Sequence, residues 1–299
     1  MKTVLVTGSN GLLGQKLTDL YLKKQGLRLV ATGKGPNRHP NAAMMNYRQM
    51  DITNREEVLQ VIQEEKPHCI IHTAAMTNVD ACELDHAACD LQNVEAVKYI
   101  VEAANAVNAH LVHLSTDFIF DGTHGPLTEE EEPKPLSYYG NSKLKGEAWV
   151  MQHAQQWAIA RTVLVFGIVA DMSRSNIVLW VKKSLEEGKT IHVVNDQFRT
   201  PTLAEDLAVG CALLEEKAAR GIYNISGGDF MSIFELANRV AAFWKLDASL
   251  IHPSDSSTLN QPAKRPPITG FILDKAKREL GYQPHTFEAG LAILQQQMT

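Results

Sequence analysis

Thr3-Val-Leu-Val-Thr-Gly-Ser-Asn-Gly-Leu-Leu-Gly14 decides how the rest of the chain is read. Residues 3–6 are a β-branched and apolar run with no polar alternation, the pattern of a parallel strand buried on both faces. Gly8, Gly11 and Gly14 follow at G-x-x-G-x-x-G spacing, and Leu12, Leu13, Leu17, Leu20 and Tyr21 then recur at helical intervals. Strand, glycine turn and helix form the context that a dinucleotide-binding fingerprint requires. Each glycine has a physical task. Gly8 permits a tight turn, Gly11 lets backbone approach a pyrophosphate, and Gly14 lets helix and strand pack closely. The helix N-terminus offers N–H groups and a positive dipole end to phosphates. A bare glycine turn between two ordinary elements is the competing explanation, and the position between strand and helix argues against it.

Outward from this start, residues 27–32 form a second strand candidate. Sites specific for NAD hold the ribose 2′-hydroxyl on an acidic residue about 20 residues beyond the glycines. Here no Asp or Glu occurs between Asp19 and Asp51, and Gly33-Lys-Gly-Pro-Asn-Arg-His39 supplies Lys34 and Arg38 instead. These cations suit a 2′-phosphate, so NADPH is the expected cofactor, with NADH as the alternative. A short third strand over residues 47–50 ends at Asp51 and Ile52, where Asp51 either meets an adenine edge or caps the next helix. Residues 58–65 continue that helix up to Pro67. Residues 69–72 make a fourth strand running into Thr73-Ala-Ala-Met-Thr77. A long helix is expected from about 85 to 108, carrying Asn93, and a fifth strand over 111–114. This βαβ alternation specifies an α/β fold with a doubly wound parallel sheet.

A sixth strand is expected over 158–166. Beyond Asn176 the pattern changes to helices 177–187, 203–214 and 232–244, strands 190–194 and 222–225, and a last helix beginning near Asp274. The expected division is a nucleotide-binding domain over 1–168 and a smaller, interleaved substrate domain over 169–299, with residues of about 195–220 returning to the first.

The 299 residues are 44% hydrophobic and 21% charged, enough apolar content for a sizeable core. A net charge of −5 and the lack of a basic stripe argue against nucleic-acid binding. No apolar run reaches the roughly 18 residues of a membrane span. The chain enters a strand at once, so no signal peptide is expected. Cys69, Cys82, Cys89 and Cys211 form no C-x-x-C pair and read as reduced thiols of a cytoplasmic protein. The run Glu129–Glu132 reads as a solvated loop, and no metal site is expected.

Tyr139 and Lys143 stand four apart, on one helical face. An ordinary tyrosine, with a pKa of about 10, exchanges protons poorly at neutral pH, and an adjacent ammonium lowers that value. Thr116, just past the fifth strand, adds a hydroxyl. Such a group suits proton transfer to a carbonyl that receives hydride from a nicotinamide. Either signal alone arises by chance; behind a nucleotide fingerprint, in this order, they reinforce each other.

Thr7-Gly-Ser-Asn-Gly-Leu-Leu-Gly14, Thr116 and Tyr139-Gly-Asn-Ser-Lys143 resemble the extended short-chain dehydrogenase/reductases. More narrowly, Ala74-Ala-Met-Thr-Asn-Val-Asp-Ala-Cys-Glu83, Ser115-Thr-Asp-Phe-Ile-Phe-Asp-Gly122, Asp196-Gln-Phe-Arg-Thr-Pro-Thr202 and Arg265-Pro-Pro267 resemble dTDP-4-dehydrorhamnose reductases, from residue 3 to about 282. The resemblance implies that Tyr139 is the proton donor, that Lys143 lowers its pKa and anchors the nicotinamide ribose, and that Thr116 meets the carbonyl oxygen. It places Gly8, Ser9, Asn10, Gly11, Leu12, Leu13 and Gly14 around the pyrophosphate and Asp51 and Ile52 at the adenine. Ala74, Ala75, Thr77, Asn93 and Leu114 complete the cofactor channel. Asp117 would lie near the sugar, with Leu164 and Arg199 as further substrate candidates.

The implied reaction is NADPH-dependent reduction of a nucleotide-linked 4-keto-6-deoxysugar to dTDP-L-rhamnose. The departures fall on the sugar side. Leu164 stands where relatives often carry tryptophan, Phe118 and Phe166 where tyrosine is common, and Arg199 where glycine is frequent. A related epimerase or dehydratase and a non-catalytic NADP-binding regulatory subunit stay open as alternatives. A dehydratase should carry an Asp-Glu pair beside Thr116, whereas Asp117 is followed by Phe118. The oligomeric state is left open, with a homodimer among the options.

Overall fold

The computed structural model describes residues 1–170, 176–258 and 260–298. The first half lays down β1 (Lys2–Thr7), α1 (Leu12–Leu22), β2 (Leu27–Gly33), β3 (Asn46–Gln49), α2 (Arg55–Glu65), β4 (Cys69–His72), α3 (Val79–Leu84), α4 (His86–Asp90), α5 (Ala96–Ala106) and β5 (His110–Thr116). After α6 (Tyr138–His153) come β6 (Trp157–Thr162), β7 (Val165–Phe166), α7 (Ile177–Glu186), β8 (Ile191–Val194), β9 (Phe198–Arg199), β10 (Thr202–Leu203) and α8 (Ala204–Glu216). The chain ends with β11 (Gly221–Asn224), β12 (Met231–Ser232), α9 (Ile233–Trp244), β13 (Ile251–Ser254) and α10 (Phe287–Met298).

Seven parallel strands form the central sheet in the order β11-β6-β5-β4-β1-β2-β3. Chain order reverses between β1 and β4, which opens the crevice where such sheets hold ligands. Alternation along β1 sorts the two faces. Val4 and Val6 join Leu17 and Tyr21 of α1 and Leu207 and Cys211 of α8 in one buried layer. Leu5 joins Val58 and Ile62 of α2, Ile100 of α5 and Val150 of α6 in the other. Because both faces are covered, the inner strands β1 and β4 read as nearly continuous apolar runs. A third apolar cluster gathers Val178, Val181, Leu236, Val240, Leu291 and Leu294 from α7, α9 and α10.

Three expected elements differ. The sixth strand does not run to Phe166; β6 stops at Thr162, and β7 pairs instead with β10. Thr202 causes the switch: its hydroxyl donates to the Val163 carbonyl at 2.6 Å and its amide to the Leu164 carbonyl at 3.2 Å. Leu164 takes φ +39° at the break, the left-handed region a branched side chain rarely occupies. The long helix around Asn93 is interrupted by a π-helical turn, Leu91–Glu95. A helix does begin at Asp274, but it runs into a π-helical turn, Ala276–Leu280, closed by Gly281 at φ +72°, and a separate last helix starts at Phe287.

Candidate active site

A cavity of about 1030 Å³ runs along the C-terminal ends of the central strands. Its volume suits a dinucleotide with room for a second ligand, above the span of ordinary small-molecule sites. One end is the glycine turn. Gly8 sits at φ +67°, and a Cβ there would meet Ala74 backbone at 2.9 Å; a Cβ on Gly14 would lie 2.3 Å from the Gly8 carbonyl oxygen. Only glycine permits this approach. Gly11 precedes α1 with no side-chain cap and no acidic residue in the first turn. The first N–H groups of α1 are therefore presented to the cavity, as an anion site requires. Asn10 joins the turn to the next loop: its amide donates to the Pro36 carbonyl at 2.9 Å and its oxygen accepts from the Arg38 amide at 2.9 Å.

Lys34 and Arg38 line the same end. The Lys34 ammonium pairs with Asp51 Oδ2 at 2.9 Å, linking the loops after β2 and β3. Asp51 caps no helix; Asn54 does, accepting from the amides of Glu56 and Glu57. Asp51, Ile52, Ala74, Ala75, Thr77 and Leu114 all face the cavity, as do Leu12 and Leu13. The residues present thus fit a phosphorylated dinucleotide: an uncapped helix end for the pyrophosphate, cations at one rim and flat alanine backbone between.

Two expected cofactor residues turn away. Ser9 is buried, with its hydroxyl on the Thr32 carbonyl at 3.1 Å. Asn93 is also buried, and its carboxamide is occupied by the Met76 amide at 2.9 Å, the Met76 carbonyl at 3.0 Å and Ser142 Oγ at 3.0 Å. The π-helical turn aims Asn93 at α6, so it acts as a brace behind the site.

Thr116, Asp117, Phe118, Tyr139, Lys143 and Leu164 line the other end. Tyr139 and Lys143 lie in the first two turns of α6, whose cap Ser137 accepts from the Gly140 amide at 3.2 Å. Gly140 sets how close α6 comes: a Cβ there would stand 2.1 Å from the Phe118 carbonyl oxygen. That contact brings Tyr139 beside the Thr116–Phe118 segment, where its ring meets Phe118 edge-on at 5.8 Å between centroids. The glycine between Tyr139 and Lys143 was the signal for it in the sequence. Phe166 does not reach the cavity; it packs edge-on against Phe287 in the third apolar cluster.

Burial dominates the electrostatics. It pushes the Tyr139 phenol well above its ordinary value; the Thr116 hydroxyl opposes the rise and Asp117 adds to it. The lowering expected from Lys143 is not seen, and the phenol carries its proton across the neutral range. Burial also pulls the Lys143 ammonium down to about 8, against the Glu147 carboxylate. Arg199 departs from expectation as well. It is buried behind the wall, its Nε 3.6 Å from Asp117 Oδ2, because its terminal nitrogens are taken by backbone carbonyls.

The family model described as the RmlD substrate binding domain matches residues 1–299. A solved dTDP-4-dehydrorhamnose reductase of Clostridium acetobutylicum superposes with a TM-score of 0.87 at 27% identity, over 99% of each chain. This chain belongs to the dTDP-4-dehydrorhamnose reductase family. The family lies within the extended short-chain dehydrogenase/reductases, and its reductases are NADP-dependent oxidoreductases. The reductase of Bacillus anthracis, solved in complex with NADP, superposes at 0.84 with 29% identity, over 99% of this chain and 100% of that one. Rat methionine adenosyltransferase 2 subunit beta is 32% identical over 271 residues, 89% of this chain and 78% of that protein. The reductase-family fold thus serves relatives of two descriptions, and the wall formed by Thr116, Tyr139 and Lys143 bears on which applies here. Among the described residues, no helix is long and apolar enough to cross a membrane.

Proposed function

We propose that this reductase-family member reduces the 4-keto group of a nucleotide-linked 4-keto-6-deoxysugar with NADPH, converting dTDP-4-dehydro-L-rhamnose to dTDP-L-rhamnose. One observation carries the reading: Thr116, Tyr139 and Lys143 share a single cavity with the uncapped N-terminus of α1. A bound nicotinamide supplies the hydride. Tyr139 Oη gives its proton to the oxygen of the reduced carbonyl, which becomes basic as charge develops on it. Burial keeps that phenol protonated until then. Lys143, charged below about pH 8, balances the phenolate that remains and offers donors to a ribose hydroxyl. Lys34 and Arg38 would receive a 2′-phosphate, Lys34 sharing its ammonium with Asp51.

The test is NADPH oxidation with enzymatically generated dTDP-4-keto-L-rhamnose, for the wild type and Tyr139→Phe. Removing a general acid costs about 10²–10⁴-fold in rate. The reading predicts that loss with NADPH binding unchanged. Tight NADPH binding without turnover of this or other 4-keto-sugar nucleotides would refute it. The likeness to a methionine adenosyltransferase subunit then favours a second reading, a cofactor-binding regulatory subunit, whose effect on a partner enzyme should survive Tyr139→Phe.

A further inference from the structure

Gly33-Lys-Gly-Pro-Asn-Arg38 carries both cations of the cavity rim. A Cβ on Gly35 would meet nothing within 4 Å, so sterics alone do not fix the path of this loop. Hydrogen bonds do. Four successive carbonyls each take a donor. Gly33 accepts from the Met50 amide at 2.9 Å, Lys34 from Gln49 Nε2 at 2.9 Å, Gly35 from the Tyr47 hydroxyl, and Pro36 from Asn10 Nδ2 at 2.9 Å. Asn10 also donates to Tyr47 Oη at 3.3 Å and accepts from the Arg38 amide at 2.9 Å. Tyr47, Gln49 and Asp51 are alternate residues along β3 and its end. Each grips the loop, Asp51 through the Lys34 ammonium at 2.9 Å. Gly33 leaves room for the junction: a Cβ there would lie 2.9 Å from Tyr47 Oη and 3.1 Å from Asn10 Nδ2. Asn10, Lys34 and Arg38 line the cavity, whereas Tyr47 and Gln49 do not.

We propose that Tyr47 and Gln49 are positioning residues for cofactor choice: without lining the cavity, they pre-form the loop that presents Lys34 and Arg38 to a 2′-phosphate. The inference rests on reading that rim as the 2′-phosphate site and deepens it. A carbonyl held by a donor does not swing toward an incoming dianion, and a loop already in its bound shape loses less freedom on binding. Burial raises the Tyr47 phenol, and the Asn10 bond and the Arg38 charge oppose the rise, so the guanidinium acts on the same junction. NADH has no 2′-phosphate and gains little from this order.

The experiment measures Kd for NADPH and for NADH by fluorescence titration of the full-length protein, with no sugar present. The variants are Tyr47→Phe, Gln49→Ala, K34Q/R38Q and Y47F/K34Q/R38Q. Losing one hydrogen bond corresponds to about three- to tenfold in Kd. Y47F should weaken NADPH by that factor and leave NADH near the wild-type value. Q49A, at an exposed position, should shift the ratio in the same direction. In the K34Q/R38Q background Y47F should have no further effect on NADPH, since the loop then has no charge to present. Additive losses, or equal weakening of both cofactors in Y47F, overturn the proposal, because Tyr47 then only supports the fold. An unchanged ratio in Q49A overturns it too, and this decides even if Y47F does not fold. If K34Q/R38Q itself leaves the ratio unchanged, the reading of the rim fails and the proposal with it. A lowered ratio there beside a wild-type ratio in Y47F sinks the proposal alone. Binding needs no turnover, so an inactive protein counts only against the proposed reduction.

Discussion

Gly140→Ala tests whether the approach of α6 to the β5 end builds the active site. The added Cβ would lie 2.1 Å from the Phe118 carbonyl oxygen and 3.1 Å from Pro135 Cβ. Neither neighbour is the free end of a flexible side chain, so helix or loop must retreat by about 1 Å to restore contact. Overpacking of this kind costs about 1–3 kcal/mol of stability. The functional cost is larger, because Tyr139 is the adjacent residue and Thr116 lies two before Phe118. A misplacement of about 1 Å in a reacting group lowers rate by about 10²-fold. Urea unfolding of G140A should thus show a loss within that stability range, and NADPH oxidation should show kcat/KM down about 100-fold. NADPH affinity should change little, since the glycine turn and the Lys34 rim are remote from Phe118. A variant with wild-type stability and activity within a few-fold of wild type would refute the reasoning.

Lys34→Glu should weaken NADPH binding about tenfold or more, the value of a charge-assisted bond, while sparing NADH; fluorescence titration with both cofactors reads the ratio. Arg161 and Glu147 form a buried pair at 2.7 Å, with side chains 3% and 0% exposed. Arg161→Met should cost about 3–5 kcal/mol by stranding Glu147, and Arg161→Met/Glu147→Leu should recover most of it; an additive double variant in urea melts contradicts this. His72 is pulled by burial down to about 3, and burial holds His113, which stacks on it at 5.6 Å, far below its ordinary value. From pH 6.5 downward the unfolded chain gains protons that the folded chain refuses. Stability should fall by about 1.4 kcal/mol per pH unit for each histidine, and His113→Phe should remove its share of that slope.

The parallel sheet was legible because a strand covered on both faces needs a nearly unbroken apolar run, and β1 and β4 supply one each, with β5 interrupted only by buried His113. The cofactor end was legible for a related reason: glycine turn, helix start and Lys34 are all local in sequence. Tyr139 and Lys143 share a helix, so their spacing alone placed them together. Misreadings began where long-range pairing decides the outcome. β6 breaks after Thr162 because Thr202, forty residues later, takes the Val163 carbonyl. The helix around Asn93 shifts to π geometry with its carboxamide clasping Met76 and Ser142.

The sequence by itself determined the fold class, the glycine turn between β1 and α1 and the placing of Tyr139 and Lys143 on one helical face, since these follow from periodicity and spacing within one or two elements. Only the tertiary structure decided which way polar side chains face. Arg199 looked like a sugar contact and is a buried counter-charge; Ser9 looked like a phosphate ligand and bonds strand β2. A buried polar group must satisfy its hydrogen bonds, and its partners are set by packing between distant segments, which no local pattern encodes.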